Sequence, residues 1–173
     1  MSAQIVVGIG DCKLAKDPDA TLVTYALGSC IAVTVYDPVA KVGGLLHYML
    51  PDSTIDAERA RKNPYMYGDT GVPALFHGAY QLGAEKKRLK VHVAGGAHVL
   101  NDNGFLDIGK RNYLILKKLL WKAGVMVTEE AIGGTCYRTI RIHIASGQYL
   151  LQEGPVGNFG SRPASAAGIR RTI

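Results

Sequence analysis

The residues in this chain best suited to covalent chemistry are a cysteine just after a Gly-Ser turn, Cys30, and a histidine downstream, His47. A thiol at a tight turn with an imidazole in reach serves nucleophilic acyl transfer: the imidazole takes the thiol proton and the sulfur attacks a carbonyl carbon. Cys30 closes the run Thr24-Tyr-Ala-Leu-Gly-Ser-Cys30 and heads an alternating apolar segment, Ile31 to Tyr36. Taken singly, each residue type has a commoner use. A free cysteine packs as a small hydrophobe, and a lone strand histidine is usually a satisfied core residue. The weight falls on the spacing between them.

That spacing reads as a hairpin. Cys30-Ile-Ala-Val-Thr-Val-Tyr36 is rich in β-branched and aromatic residues, and Val42-Gly-Gly-Leu-Leu-His-Tyr-Met-Leu50 runs to Pro51. Between them Asp37-Pro38-Val39-Ala40 carries the Asp-then-Pro signature of a type I turn, on which four-residue hairpin loops are commonly built. With those four residues as the loop, Tyr36 faces Lys41 and Cys30 faces His47 on the same side of the sheet. The expectation depends on the loop, because a one-residue slip turns every side chain to the other face.

The remaining elements mix strands with helices. Strands are expected at 5–9, 21–26, 90–94, 125–128, 138–144 and 149–152. Helices are expected over a short stretch near 55–62, over 72–82 with Asp69 and Thr70 as caps and Pro73 in the first turn, and over 109–123 with Gly124 as the stop. Hairpins dominate the first third, which argues against a simple parallel sheet and for an α+β fold. Residues 1–152 read as a single domain, and 153–173, rich in Gly, Pro, Ser and Ala, as a flexible tail.

At 173 residues, 47% hydrophobic and 20% charged, the chain is long enough to bury a core without staples. No run approaches the roughly eighteen apolar residues of a membrane span, and the N-terminus lacks signal-peptide character, so a cytoplasmic protein without membrane insertion is expected. Cys12, Cys30 and Cys136 do not form a disulfide framework. His92 and His98 flank a Gly-Gly turn, but their spacing matches no common zinc template. Neither a metal nor a cofactor is expected. The net charge of +6 and a pI near 9.3 suit solvated helix faces first and an acidic protein partner next. Nucleic acid is disfavoured because no recognised motif appears and aromatics are few.

Several segments, in one order, resemble the CheD family, the chemoreceptor glutamine deamidases of bacterial and archaeal chemotaxis. They are Thr24-x-x-Leu-Gly-Ser-Cys30, Tyr36-Asp-Pro, Gly43-Gly44-x-x-His47 with Met49-Leu-Pro51, and Tyr67-Gly-Asp69. Gly95-Gly96-Ala97, Ile108-Gly-x-Arg-Asn112 and Gly133-Gly134 through Arg138-Thr139-Ile140 to Gly147 continue the likeness, which covers most of residues 3–152. A lone Leu-Gly-Ser-Cys would not carry it. Thr135-Cys136-Tyr137 departs from the usual pattern, and the tail has no counterpart.

The resemblance implies an α+β fold of two packed mixed β-sheets flanked by helices (α/β/β/α layers), similar to the catalytic domain of the cytotoxic necrotizing factor toxins. It implies hydrolysis of selected glutamine side chains on methyl-accepting chemotaxis receptors to glutamate, and the phosphatase CheC as a partner. It assigns Cys30 as nucleophile, His47 as its base and Thr24 as the supporting residue. An oxyanion needs N–H donors, and the turn at Gly28, Ser29 and Cys30 is where to look for them. Three rival classes stand beside this reading: a non-catalytic adaptor for a signalling phosphatase, a peptide-cutting cysteine protease, and a nucleic-acid binder.

Overall fold

Alternating β-branched runs fold into two five-stranded sheets, one packed on the other. The computed structural model describes residues 3–98 and 107–155, and the backbone of 169–172. The strands are β1 (Ala3–Val6), β2 (Asp11–Ala15), β3 (Ala20–Leu27), β4 (Ile31–Asp37), β5 (Val42–Tyr48), β6 (Lys90–Gly95), β7 (Glu129–Ile132), β8 (Cys136–His143), β9 (Tyr149–Pro155) and β10 (Ile169–Thr172). The helices are α1 (Ala57–Lys62), α2 (Gly68–Gln81) and α3 (Ile108–Ala123).

The first sheet has the order β1-β3-β8-β9-β10 and the second β2-β5-β4-β6-β7. Both are mixed: β1 with β3 and β6 with β7 run parallel, and the other neighbours antiparallel. The α+β class with two packed mixed sheets is therefore as expected. Between the sheets lie Leu22, Leu27, Ala32, Tyr36, Leu45, Ile140, Ile142 and Ile144. The other face of the second sheet buries Val33, Val35, Leu46 and Tyr48 against Val72, Leu75 and Phe76 of α2 and Leu116 and Leu120 of α3. Among the described residues the layers thus run sheet, sheet, helix, and the helix layer expected outside the first sheet is not among them.

Local chemistry explains where the elements differ from expectation. The charged, short β2 carries little strand signal, yet pairs with β5 along its length. Helix α2 starts at Gly68, and Asp69 does not cap it. Its carboxylate accepts instead from the Ser53 backbone N–H at 2.9 Å and hydroxyl at 2.6 Å. Pro73 consequently sits inside α2 rather than in its first turn. Gly124 ends α3 in the left-handed conformation at φ 61°. The Val125 N–H then caps the helix by donating to Leu120, so 125–128 is no strand and β7 begins at Glu129. The segment 153–173 meets the first sheet at both ends. Glu153–Pro155 complete β9, and Ile169–Thr172 pair with it as β10, while residues 156–168 lie outside the described residues. No described helix is long and apolar enough to cross a membrane.

Candidate active site

The hairpin has four loop residues, but they are 38–41 rather than 37–40. Asp37 pairs with Val42, Ala32 with His47 and Ile31 with Tyr48. The cause lies in Asp37, which is fully buried and accepts from the backbone N–H groups of Val39 at 2.8 Å and Ala40 at 3.0 Å, while Arg88 pairs with it at 2.8 Å. Held there, Asp37 stays in the strand, and Lys41 closes the loop at φ 54°. The direct opposition expected of Cys30 and His47 is therefore corrected to a diagonal one. The register moves by two places, so the face is preserved. His47 lies opposite Ala32, and Ala32 and Cys30 share a side by the period-two rule. Diagonal neighbours of this kind have Cα atoms roughly 7–8 Å apart, with Cβ atoms somewhat closer. Cys30 is half-buried and packs with Ala32 in the cluster between the sheets.

The third member comes from the facing sheet. Thr24 is fully buried on β3, next to the irregularity in the β3–β8 pairing where Ala26 adopts φ 58°. Its hydroxyl donates to the Val7 carbonyl at 2.7 Å and lies 2.8 Å from Nδ1 of His47. With its only proton directed at Val7, Thr24 can only accept from the imidazole. Nδ1 therefore carries the ring proton, and Nε2 is bare. Nε2 is buried with no hydrogen-bond partner among the described residues, so it does not bond the Cys30 sulfur in the free protein. Such bonds often form only once substrate is bound.

Burial sets the charge state of the pair. Removal from water pushes the Cys30 thiol up to about 11, its own backbone N–H acting weakly the other way. The same cause holds His47 down to about 4. At neutral pH the resting site holds a neutral thiol and a neutral imidazole rather than an ion pair. A base that stays unprotonated is a competent proton acceptor at pH 7, at the cost of a reluctant thiol.

The Gly28-Ser29-Cys30 turn is pinned from behind. Gly96 donates its N–H to the Cys30 carbonyl at 2.9 Å, and Ala97 donates to Gly28 at 2.9 Å. Gly95 has φ 119°, and a Cβ there would lie 2.1 Å from the Cys30 carbonyl oxygen, so only glycine fits. Arg138, almost fully buried, donates to the carbonyls of Gly133 at 2.8 Å and Gly95 at 3.4 Å and pairs with Glu153 at 2.9 Å. The backbone N–H groups of Ser29 and Cys30 donate to no carbonyl among the described residues. Asn112 of α3 reaches the same turn, donating from Nδ2 to Ser29 at 3.1 Å and to Met49 at 2.9 Å. Along the sequence Gly95-Gly96 and Asn112 stand only as parts of motifs, because their contacts cross elements far apart in the chain.

Other candidates lie elsewhere. His92 is buried, 3.2 Å from the Thr34 hydroxyl and stacked on Tyr149. His98 is exposed beside Asp107 at 3.5 Å. Cys12 is half-buried, and its thiol is pushed up to about 12 by burial, then by Asp11. Cys136 lies by Glu153.

Comparison with known proteins places the chain. Residues 49–153 match the family described as CheD chemotactic sensory transduction, a segment that begins just beyond His47. A protein of Solibacter usitatus called "Probable chemoreceptor glutamine deamidase CheD" is 55% identical over 87% of this chain and 89% of its own length. One of Syntrophus aciditrophicus, called "Probable chemoreceptor glutamine deamidase CheD 1", is 47% identical over 88% and 96%. Among solved structures, Bacillus licheniformis YfiH aligns with a TM-score of 0.45 at 14% identity, over 70% of this chain and 49% of that one. With two curated relatives at these identities along nearly their whole length, and the family's own pattern over 49–153, the chain belongs to the CheD family.

Proposed function

We propose that this protein is a glutamine deamidase acting on chemoreceptors, with Cys30 as nucleophile, His47 as general acid and base, and Thr24 as the residue that fixes the imidazole. The observation that supports it most is the relay from Val7 through Thr24 to Nδ1 of His47, which leaves a bare Nε2 on the face of the sheet where Cys30 stands. The relatives' names supply the substrate class.

In the reaction so read, Nε2 takes the Cys30 thiol proton as the sulfur bonds to the glutamine side-chain carbonyl carbon. The carbonyl electron pair moves onto oxygen, where the N–H groups of the turn receive the negative charge. Collapse breaks the C–N bond, and His47 returns its proton to the departing ammonia. A water then gives a proton to His47 and attacks the thioester. Collapse of that second adduct releases glutamate and restores the thiol. Thr24 carries no charge, so the transient imidazolium has less support than an aspartate would give.

CheC is proposed as a regulatory partner on the family resemblance, and the cytoplasm as the site of action. Co-elution of purified CheC with this protein tests the first. Mass spectrometry of receptor co-expressed with native or Cys30→Ala protein tests the reaction. The expected result is an amide-to-acid mass gain at defined glutamines with native protein only. A lost fragment would indicate a protease, and equal gain with the variant would remove Cys30 from the mechanism.

A further inference from the structure

The side chain of Asn112 joins the two halves of the site. It is fully buried, one turn into α3, and both of its amide protons are used. One goes to the Ser29 carbonyl at 3.1 Å, in the nucleophile's turn, and the other to the Met49 carbonyl at 2.9 Å, just past the strand that carries His47. Both neighbours are carbonyl oxygens, so the NH₂ end must face them. Its Oδ1 is buried with no partner among the described residues. An apolar residue would avoid that orphan acceptor, so packing alone does not account for an amide here. The Tyr48 hydroxyl adds a third tie, donating to the Asn112 carbonyl at 2.7 Å.

The bond to Ser29 does more than hold the turn. The peptide between Ser29 and Cys30 is trans, as no cis bond occurs among the described residues. In a planar trans peptide the C=O and the following N–H point in opposite directions. Fixing the Ser29 carbonyl on Asn112 therefore aims the Cys30 N–H away from α3. The Cys30 carbonyl on the next peptide is held separately by Gly96 at 2.9 Å. Both peptides flanking the nucleophile are thus clamped through their carbonyls.

We propose that Asn112 is a positioning residue for deamidation: by holding Ser29 and Met49 it orients the Cys30 N–H as an oxyanion donor and keeps the turn in register with the His47 strand. This rests on the deamidase reading above and adds to it the residue that sets the donor's direction.

The test compares two reactions of one thiol. Deamidation passes through an oxyanion, whereas alkylation by iodoacetamide, a displacement at saturated carbon, does not. Ammonia release from receptor cytoplasmic fragment and the alkylation rate of Cys30 are measured in native protein, Asn112→Ala and Asn112→Ser. Serine keeps one donor and decides the matter if the alanine variant does not fold. The expected result is a fall in kcat of about 10²-fold, the usual effect of losing one oxyanion donor, with KM and the alkylation rate near native. A proportional fall in kcat and alkylation would reduce Asn112 to a structural brace, and an unchanged kcat would remove it from the mechanism. Absence of ammonia from native protein would overturn the deamidase reading and this proposal together.

Discussion

The hydroxyl of Thr24 lies 2.8 Å from Nδ1 of His47 while donating its own proton to Val7 at 2.7 Å. Thr24 and His47 belong to different sheets, so this bond fixes the tautomer across the core rather than along a strand. Replacing Thr24 by Val keeps the shape and removes the acceptor, leaving the Nδ1 proton unpaired and free to move to Nε2. Deamidation should fall by roughly 10²-fold, the lower end of what a placed general base contributes. Thr24→Ser keeps the hydroxyl and should stay close to native. Steady-state ammonia release measures both, and an active Thr24→Val would show that the tautomer is set by something else.

The neutral resting pair has a pH signature. With the Cys30 thiol up at about 11 and His47 down at about 4, no thiolate–imidazolium pair exists near pH 6. Alkylation of Cys30 should climb steadily through the alkaline range and show no plateau on the acid side. Labelled-peptide mass spectrometry from pH 5 to 10 reads it directly. A plateau of high reactivity at pH 6 would indicate a preformed ion pair. Cys30→Ala should abolish ammonia release while leaving thermal unfolding near native, since the half-buried thiol is small.

Acid should loosen the fold in a defined window. His47 and His92 are both held down to about 4 by burial, against roughly 6.5 for a free imidazole. Between those values the unfolded chain binds protons that the folded one refuses. The stabilisation is complete above about 6.5 and is lost as pH falls toward 4. Asp37, held below the ordinary carboxylate range by Arg88 and three backbone N–H groups against the opposing effect of its burial, adds a loss only at more acidic pH. Urea midpoints at pH 7 and 4.5 should differ clearly, and His92→Gln should narrow the gap while sparing the Cys30 site. An equal gap in that variant would exclude His92 as a contributor.

Gly95 is the backbone position with least freedom near the nucleophile. At φ 119°, with the Cys30 oxygen 2.1 Å from any added Cβ, Gly95→Ala must displace the turn that it supports. A loss of about 3 kcal/mol is expected, with activity falling further than stability explains. Gly154→Ala, where no atom of the described residues beyond its chain neighbours lies within 4 Å of the added carbon, is the control and should be near neutral. Chemical denaturation of both variants measures the difference.

Legibility in the sequence followed the range of the interactions. The period-two runs gave β3, β4, β5 and β8, and the helical stop at Gly124 held, because those signals are local. Cys30 and His47 were legible as a pair since a hairpin is the shortest long-range structure. Their register differs from the turn signature because Asp37 binds Arg88, fifty-one residues away, and so stays in the strand. Thr24 entered through family likeness alone, for nothing along a strand says which residue of the opposite sheet will meet an imidazole. Asn112 and Gly95 lay further out of reach. Their roles are hydrogen bonds to, and clearance from, backbone atoms of a turn more than sixty residues earlier in the chain.

The charge distribution predicts how the substrate is found. Helix α3 carries Lys110, Arg111, Lys117, Lys118 and Lys122 and no acidic residue, on a chain of net charge +6. An acidic receptor surface would be steered toward such a helix, and steering raises association rates in a way that salt screens, with a Debye length of roughly 8 Å at physiological ionic strength. For intact receptor fragment, kcat/KM should fall as salt rises from low to physiological and beyond. For a short neutral glutamine peptide it should hardly change. Lys118 and Lys122 are exposed, so Lys118→Glu with Lys122→Glu should lower kcat/KM several-fold on the receptor and flatten its salt dependence. The peptide's rate should stay at its native value. Equal losses on receptor and peptide would place the effect in the site rather than in the encounter.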